Sequence, residues 1–251
     1  ITTGQKNAAL EAIAVALESG IDAVVEANAL DLERGRANQI GDGLLDRLTL
    51  DESRLRSLAA AVRDVIALPD PIGQVVRGST LANGITINQV RVPFGVVGAI
   101  YEARPNVTVD IVALALKSCN GAVLRGGSAA EQSNAVLVSL IQNAISSVGL
   151  EGDAVQTIDE FGREGASRLM RARGYVDVLI PRGSAGLIST VVQESTVPVI
   201  ETGSGIVHVY VDRAAGAHFV RLPGIAPVAL RLAATGATPG HAPDASVRAI
   251  R

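Results

Sequence analysis

The sequence has 251 residues, of which 48% are hydrophobic, 2% aromatic and 19% charged, and its formal net charge is −3. This length and apolar content suffice for a substantial buried core, in one large domain or two small ones. The scarcity of aromatic residues and the slightly acidic charge argue against a nucleic-acid-binding surface and against binding to an anionic membrane.

Cysteine content and hydropathy bear on where the protein resides. Cys119 is the only cysteine, so no disulfide can form within the chain, and a reducing compartment is the simpler assumption. No apolar run reaches the ~18 residues of a membrane span, and the amino terminus lacks a secretory pattern. No group of His, Cys, Asp and Glu has metal-ligand spacing. The sequence therefore predicts a soluble, cytoplasmic protein without a metal site.

The first part of the chain has helical periodicity and is followed by a hairpin signal. Apolar residues recur at helical spacing over residues 5–38, with a break at Gly20, and again over about residues 51–67, where Asp51 is the expected N-cap. Farther along, Asn83-Gly84 precedes an alternating stretch, which predicts a β-hairpin closed by a type I′ turn.

From residue 95 onwards, strand and helix signals alternate. Strands are expected at residues 95–100, 122–124, 154–158, 176–180 and 197–200. Helices are expected between them, at about residues 107–118, 130–148, 162–173 and 186–193. These four successive β-α-β steps predict the α/β fold class, with an open, mostly parallel sheet and helices on both of its faces.

The composition changes in the last part of the chain. Residues 213–251 are rich in Ala, Pro and Arg, and Asp244 is their only acidic residue. Pro239, Gly240 and Pro243 interrupt any helix. We therefore expect residues 1–212 to form the folded domain and residues 213–251 to be an atypical tail, disordered or foreign to that domain.

The loop after the first parallel strand carries a candidate catalytic residue. Ligands of open parallel sheets bind beyond the carboxyl ends of the strands, where loops enter helices. In residues 101–108, Asn106 stands near a helix start, where its amide and nearby backbone N–H groups can stabilise a developing oxyanion. A simple N-cap role for Asn106 remains the alternative, since Asn is a leading N-cap residue.

Two further loops each combine arginine, glycine and serine ahead of a helix. The loop residues are Arg125, Gly126, Gly127 and Ser128 in one case and Pro181, Arg182, Gly183 and Ser184 in the other. Glycine lets a backbone approach a ligand, and Arg, Ser and a helix start offer donors to phosphate or ribose oxygens. Each loop could also be an ordinary turn, but the pair at one sheet edge favours a phosphorylated ligand. Cys119 falls at the opposite edge, so we expect a buried structural thiol there.

Several segments, in order along the chain, resemble the γ-glutamyl phosphate reductase family of the aldehyde dehydrogenase superfamily. The longest are residues 92–98 (Val-Pro-Phe-Gly-Val-Val-Gly) and 100–108 (Ile-Tyr-Glu-Ala-Arg-Pro-Asn-Val-Thr). The others are residues 44–48, 124–128, 180–183, 197–203 and 208–212. The resemblance runs from about residue 5 to residue 212, which it identifies as a dinucleotide-binding domain.

The resemblance implies a reaction and roles for the residues. In this family NADPH delivers hydride to a thioester, which forms when a cysteine displaces phosphate from γ-glutamyl phosphate, and the product is glutamate 5-semialdehyde on the path to proline. Asn106 would serve the oxyanion, and Glu201 matches a catalytic carboxylate of related enzymes. Residues 125–128 and 181–184 would line the NADP pocket. The hairpin, at about residues 74–92, resembles an arm through which such enzymes form homo-oligomers.

One departure from the family concerns the nucleophile. The family's cysteine segment corresponds here to residues 227–231, which contain no cysteine. The resemblance therefore predicts a catalytically incomplete chain without its catalytic domain. The alternative is a non-catalytic NADP-binding remnant, or a subunit completed by another chain. We interpret residues 213–251 as an out-of-frame or truncated remnant, and an intact reading frame on resequencing the gene would contradict this hypothesis.

Overall fold

The part of the chain that the structure describes, residues 1–102 and 104–201 of a computed structural model, begins with helices, continues with a hairpin and then alternates strands and helices. The α-helices are α1 (Thr3–Ser19), α2 (Ile21–Ala37), α3 (Asp42–Leu48), α4 (Glu52–Ala67), α5 (Asn106–Lys117), α6 (Glu131–Ser147), α7 (Gly162–Met170) and α8 (Ala185–Glu194). The β-strands are β1 (Val75–Thr80), β2 (Thr86–Val90), β3 (Val96–Tyr101), β4 (Gly121–Arg125), β5 (Val155–Thr157) and β6 (Val178–Arg182). The predicted tail, residues 213–251, lies outside the described residues.

The main sheet confirms the predicted fold class. Its strands are ordered β5-β4-β3-β6, and each neighbouring pair is parallel. The expected strand at residues 197–200 contributes only one parallel bridge, between Leu179 and Val199. Pro198 explains this short pairing, because it lacks the N–H group that a longer ladder requires. The strand order reverses between β3 and β6, so the carboxyl ends of these two strands flank the topological switch point.

Helices cover both faces of this sheet, and the side chains of β3 point alternately to the two helical layers. Ala99 and Tyr101 pack into a core cluster with α1, α4, α5 and α6. Ile100, which points the opposite way, packs into a second cluster with residues of α7 and α8. On α6, Leu137, Ile141 and Ile145 are fully buried at helical spacing. Burial of each contributes ~1.5–3 kcal/mol to stability.

The amino-terminal helices form a layer outside α5 and α6, and both lysines of the chain hold it in place. Lys6 is 1% exposed and its ammonium lies 2.6 Å from a carboxylate oxygen of Asp70. The hydrogen bonds that Asp70 accepts from Lys6 and from the Thr3 hydroxyl hold the pKa of its carboxyl group well below the usual range. Lys117 donates to Asn7 and to the carbonyl of Ile66, both at 2.8 Å. The two lysines are therefore structural groups, remote from the switch point.

The sequence predictions for the first helices and for the hairpin are confirmed, apart from the turn type. Asp51 caps α4 by accepting a 2.7 Å bond from the Arg54 amide. In the turn between β1 and β2, Gly84 has φ +85, but Asn83 does not have the positive φ of a type I′ turn. Leu81 and Ile85 instead close a three-residue loop, through a bond of 2.8 Å from the Leu81 amide.

The hairpin has no core of its own. Every residue of β1 and β2 is exposed, and the two strands form a separate sheet. A two-stranded sheet in water is marginally stable at best. Elsewhere, no helix within the described residues combines the length and the hydropathy that crossing a bilayer requires.

Candidate functional site

The three loops selected from the sequence lie at one edge of the main sheet, because β3, β4 and β6 are parallel. Residues 101–108 begin with the last residue of β3, and residues 125–128 (the β4 loop) begin with the last residue of β4. Residues 181–184 (the β6 loop) begin with the last two residues of β6. Glu201 is exposed and lies two residues beyond the bridge that Val199 makes to β6, toward the same edge. The sheet therefore brings the predicted catalytic and ligand-binding segments to its carboxyl edge.

Asn106 is the first residue of α5, and its side chain does not cap the helix. Pro105 occupies the N-cap position, without a side-chain hydrogen bond. The half-buried Asn106 amide nitrogen instead donates to Asp110 over 3.2 Å. The capping alternative considered for Asn106 is thus wrong. The amide carries a second hydrogen, which the bond to Asp110 does not use.

Asp110 is a titratable group of this site that the sequence motifs did not single out. Burial raises the pKa of its carboxyl group, while the hydrogen bond from Asn106 and the charge of Arg182 act in the opposite direction. Asp110 thus lies under the electrostatic influence of the β6 loop. Asp110 could have been found from the sequence, because it comes four residues after Asn106 and residues four apart share a helix face.

The β4 loop is held by the protein itself. The Gly126 amide donates to Asp159 over 2.6 Å, and a Cβ at Gly126 would collide with the side chain of Asn134. Arg125 donates to the carbonyls of Gly126 and Gly162. We expected Gly126 to let a ligand approach the backbone; in the structure, the side chains of Asn134 and Asp159 lie in the space beside it.

The remaining residues of this loop are more accessible. Gly127 is half-buried, and its carbonyl accepts from Ala130. Ser128 is exposed, while its backbone carbonyl accepts a 2.8 Å bond from Arg34. The hydroxyl of Ser128 and the outer part of the Arg125 guanidinium are therefore the groups that this loop presents at the sheet edge.

A chain of hydrogen bonds connects the β4 loop with β3. The Tyr101 hydroxyl lies 2.7 Å from that of Thr108, which donates to the Asn134 side chain over 2.9 Å. Asn134 in turn donates to Asp159 over 3.0 Å. Burial raises the pKa of Tyr101, so this residue is a neutral donor. No spacing rule reveals this relay, because its members come from four separate elements.

The donors of the β6 loop also face a carboxylate of the protein, that of Glu102. Ser184 is the N-cap of α8, and its hydroxyl accepts from the Leu187 amide. The Ser184 amide and hydroxyl both donate to Glu102, each over 2.8 Å. Arg182 and Gly183 are exposed, whereas Pro181 is buried inside β6 and has no N–H to offer. Glu102 thus lies where we expected a ligand phosphate.

Cys119 lies far from this edge in the topology. It is half-buried, follows α5 with φ +61 and precedes the amino end of β4. The prediction of its edge is confirmed, although the thiol is less buried than expected. Within residues 1–102 and 104–201, no group of three or more His, Cys, Asp or Glu is arranged to hold a metal ion.

A surface cavity of about 640 Å³ lies elsewhere, along the first turns of α4. Its charged lining residues include Glu52 and Arg56, which are exposed and pair with each other over 2.8 Å. Because this hollow is open and its charges are satisfied, the carboxyl edge of the sheet is the better candidate site.

Comparison with known proteins assigns the chain to a family. It is 63% identical over 214 residues to the γ-glutamyl phosphate reductase of Leifsonia xyli, and 66% identical over 216 residues to that of Clavibacter michiganensis. These alignments cover 85% and 86% of this chain but 51% and 50% of the relatives, so the chain spans about half of their length. No family model matches the chain.

Solved structures agree with this assignment. The γ-glutamyl phosphate reductase of Thermotoga maritima superposes with a TM-score of 0.79 at 42% identity, covering 82% of this chain and 50% of that one. The Saccharomyces cerevisiae enzyme gives 0.74 at 31% identity, covering 80% and 51%. A probable aldehyde dehydrogenase of Listeria monocytogenes, 15% identical with a TM-score of 0.61, shares the fold. Over the matched part of its sequence, this chain belongs to the γ-glutamyl phosphate reductase family.

Proposed function

We propose that this chain is the dinucleotide-binding part of a γ-glutamyl phosphate reductase and binds NADPH at the carboxyl edge of its sheet. The reaction in which it takes part is the reduction of γ-glutamyl phosphate to glutamate 5-semialdehyde, in proline biosynthesis. The observation that carries the proposal is the identity of 63% to a relative of that name, over the segment that contains all three edge loops.

The donors at this edge fit a phosphorylated dinucleotide. The first turn of α8 presents backbone N–H groups, the Ser184 hydroxyl and the neighbouring Arg182 guanidinium, a combination suited to phosphate oxygens. Arg125 and Ser128 at the end of β4 are the groups that we assign to the ribose and its 2′-phosphate. NADPH, when bound, supplies the hydride, and the chain's own residues bind and orient the reactants.

Asn106 and Glu201 are the residues that we assign to the substrate side. The Asn106 amide hydrogen that does not face Asp110 can donate to an oxygen on which negative charge develops. The exposed Glu201 carboxylate can accept a proton from a water molecule or a thiol. Both residues act by placing a fixed donor or acceptor beside the reacting carbonyl.

A second candidate function is nucleotide binding without turnover, in a remnant or in a subunit completed by another chain. The position of Cys119 favours it. A thioester mechanism requires a thiolate beside the hydride donor. Cys119, the one cysteine of the sequence, lies at the amino edge of the sheet and cannot supply that thiolate at the carboxyl edge. Production of NADPH from glutamate 5-semialdehyde, phosphate and NADP by the purified chain would contradict this second candidate.

Titration of the purified chain with NADPH, followed by calorimetry, tests the main proposal, with NADH as the comparison ligand. We expect saturable binding of NADPH and weaker binding of NADH. Arg182→Ala and Arg125→Ala should each weaken NADPH binding by roughly tenfold, because a charge-assisted hydrogen bond to phosphate is lost. Arg168→Ala is the matched control, since Arg168 is exposed and pairs with Glu164 on the outer helix α7. A folded sample that binds no NADPH would overturn the proposal.

We also propose that the hairpin is an arm that binds a second copy of this chain. Its strands bury nothing, and exposed apolar side chains extend along the arm and just beyond it, at Val76, Ile87, Val92 and Phe94. Such a surface is expected to be covered by a partner. We expect Ile87→Lys to lower the association constant in sedimentation equilibrium, whereas Leu114→Lys, at an exposed apolar position on α5, should not. A wild-type chain that stays monomeric at high concentration would contradict the arm.

A further inference from the structure

The Glu102 carboxylate accepts from the donors at the start of α8 that we assign to a ligand phosphate. We propose that Glu102 competes with the phosphate of the bound dinucleotide for the donors of Ser184, and thereby sets the affinity of the site. This inference rests on the proposed nucleotide binding and adds a specificity-determining residue to it. Glu102 directly follows β3, and Ser184 begins α8, so the contact spans the switch point of the sheet.

The backbone places Glu102 there by register. Tyr101 pairs with Arg182 at the ends of β3 and β6, and the Glu102 amide extends this ladder by donating to the Arg182 carbonyl over 3.1 Å. The next residue of the β6 loop is Gly183. A Cβ at that position would lie 2.8 Å from the Glu102 carboxyl carbon. The lack of a side chain at Gly183 thus makes room for the carboxylate to reach Ser184.

A comparison with α6 shows that Glu102 is not built as a permanent cap. Asp31 caps the start of α6 by accepting from the Ser133 amide at 2.8 Å and hydroxyl at 2.7 Å, the same pair of groups that Ser184 offers Glu102. However, Asp31 is fully buried and is also bonded by Arg34. Glu102 is exposed, and within residues 1–102 and 104–201 its side chain is hydrogen-bonded to Ser184 alone.

Displacement of Glu102 is therefore a conformational change that a phosphate can drive. The carboxylate can leave Ser184 by rotating into water, which replaces its hydrogen bonds. A phosphate that takes its place gains the same amide and hydroxyl, together with the positive end of α8. While Glu102 occupies these donors, only the fraction of molecules in which it has left can bind phosphate there, so the apparent affinity is reduced by that fraction.

Removal of the carboxylate tests the proposal. We expect Glu102→Ala to bind NADPH about tenfold more tightly than the wild type, which corresponds to freeing the site from one charge-assisted hydrogen bond. Glu102→Gln should give a smaller gain, because its neutral amide oxygen still accepts from Ser184. Inorganic pyrophosphate, used as a competitor against NADPH, should follow the same order. Glu194→Ala is the matched control, since it removes an exposed glutamate from the far end of α8.

A measurement without nucleotide checks the contact itself. In the free protein, hydrogen exchange at the Ser184 amide should accelerate in Glu102→Ala, because its acceptor is removed, and should not change in Glu194→Ala. Unchanged or weaker NADPH binding by Glu102→Ala, with the wild type binding normally, overturns the competition and leaves the proposed function intact. If neither protein binds NADPH or pyrophosphate, both the function and the inference are overturned.

Discussion

The two Arg-Gly-Ser loops of this protein are alike in sequence, but they differ in how the protein holds them. In the β4 loop, Gly126 is buried and its amide is bonded to Asp159. In the β6 loop, Gly183 is exposed, and the amide of the next residue is bonded to Glu102. Each loop thus has a carboxylate of the protein at the place where a ligand anion was expected.

The two carboxylates differ in the contacts that hold them in place. Asp159 also accepts from Asn134, which the buried Thr108 and Tyr101 hold in turn. Among the residues that the structure describes, Glu102 is held by Ser184 alone, and it is exposed to solvent. A carboxylate in a buried hydrogen-bonded network is costly to move, whereas an exposed one is not. The β4 loop is therefore a fixed part of the scaffold, and the β6 loop is the part that a ligand can rearrange.

Alanine substitution at the two glycines tests this difference directly, and we expect it to have a greater effect on stability than the substitution of Asp110. Neither Gly126 nor Gly183 has a positive φ, so the backbone tolerates alanine at both positions. At Gly126 the new methyl group would collide with Asn134, which the relay holds in place, and we expect a loss of ~1–3 kcal/mol in the free energy of unfolding. At Gly183 it would meet the mobile ends of Glu102 and Leu187, and we expect a change below ~1 kcal/mol.

Urea denaturation of both variants measures this difference, and each variant serves as the control for the other. A loss at Gly183→Ala as large as that at Gly126→Ala would show that the β6 loop is held as firmly as the β4 loop. It would also contradict the mobility of Glu102 on which its competition with phosphate depends.

The fold was predictable from the sequence because its signals are local and repeated. The apolar run of residues 95–100 and the four β-α-β steps determine a parallel sheet, and parallel strands necessarily bring their carboxyl ends to one edge. The edge of the site therefore follows from periodicity alone. The expected strand at residues 197–200, which makes only one bridge to β6, shows the limit of this reasoning. Pro198 weakens the pairing, and a count of apolar residues does not register this effect.

The hydrogen-bonding state of the site was not predictable in the same way. Asp159 and Glu102 are ordinary acidic residues in the sequence, and their roles depend on which amide lies opposite them after folding. From the sequence we expected Gly126 and Gly183 to let a ligand approach the backbone closely. The approaching groups, however, are side chains of the protein, and the sequence does not distinguish these from a ligand.

Asp110 lies on the β6 side of the site, and its substitution should change the free energy of unfolding only slightly. Burial raises the pKa of its carboxyl group above the ordinary value, so folding favours the protonated form. For such a group the stabilising contribution is fully present below the unfolded pKa, and it is lost as the pH rises through the folded pKa. Wild-type protein at pH 7 therefore carries an unfavourable buried charge, which is only partly offset by the Asn106 bond and by the charge of Arg182.

Asp110→Asn should remove this unfavourable term. We expect the variant to be more stable than the wild type at pH 7, by less than about 1 kcal/mol because the group is only half-buried and solvent screens it. The gain should shrink towards pH 4, where the wild-type carboxyl group is increasingly protonated. Urea denaturation at both pH values measures it, with Asp64→Asn on the exposed face of α4 as the control. A variant less stable than the wild type at pH 7 would mean that the Asn106 hydrogen bond and the charge of Arg182 together outweigh burial, and that the β6 loop is linked to α5 as well as to Glu102.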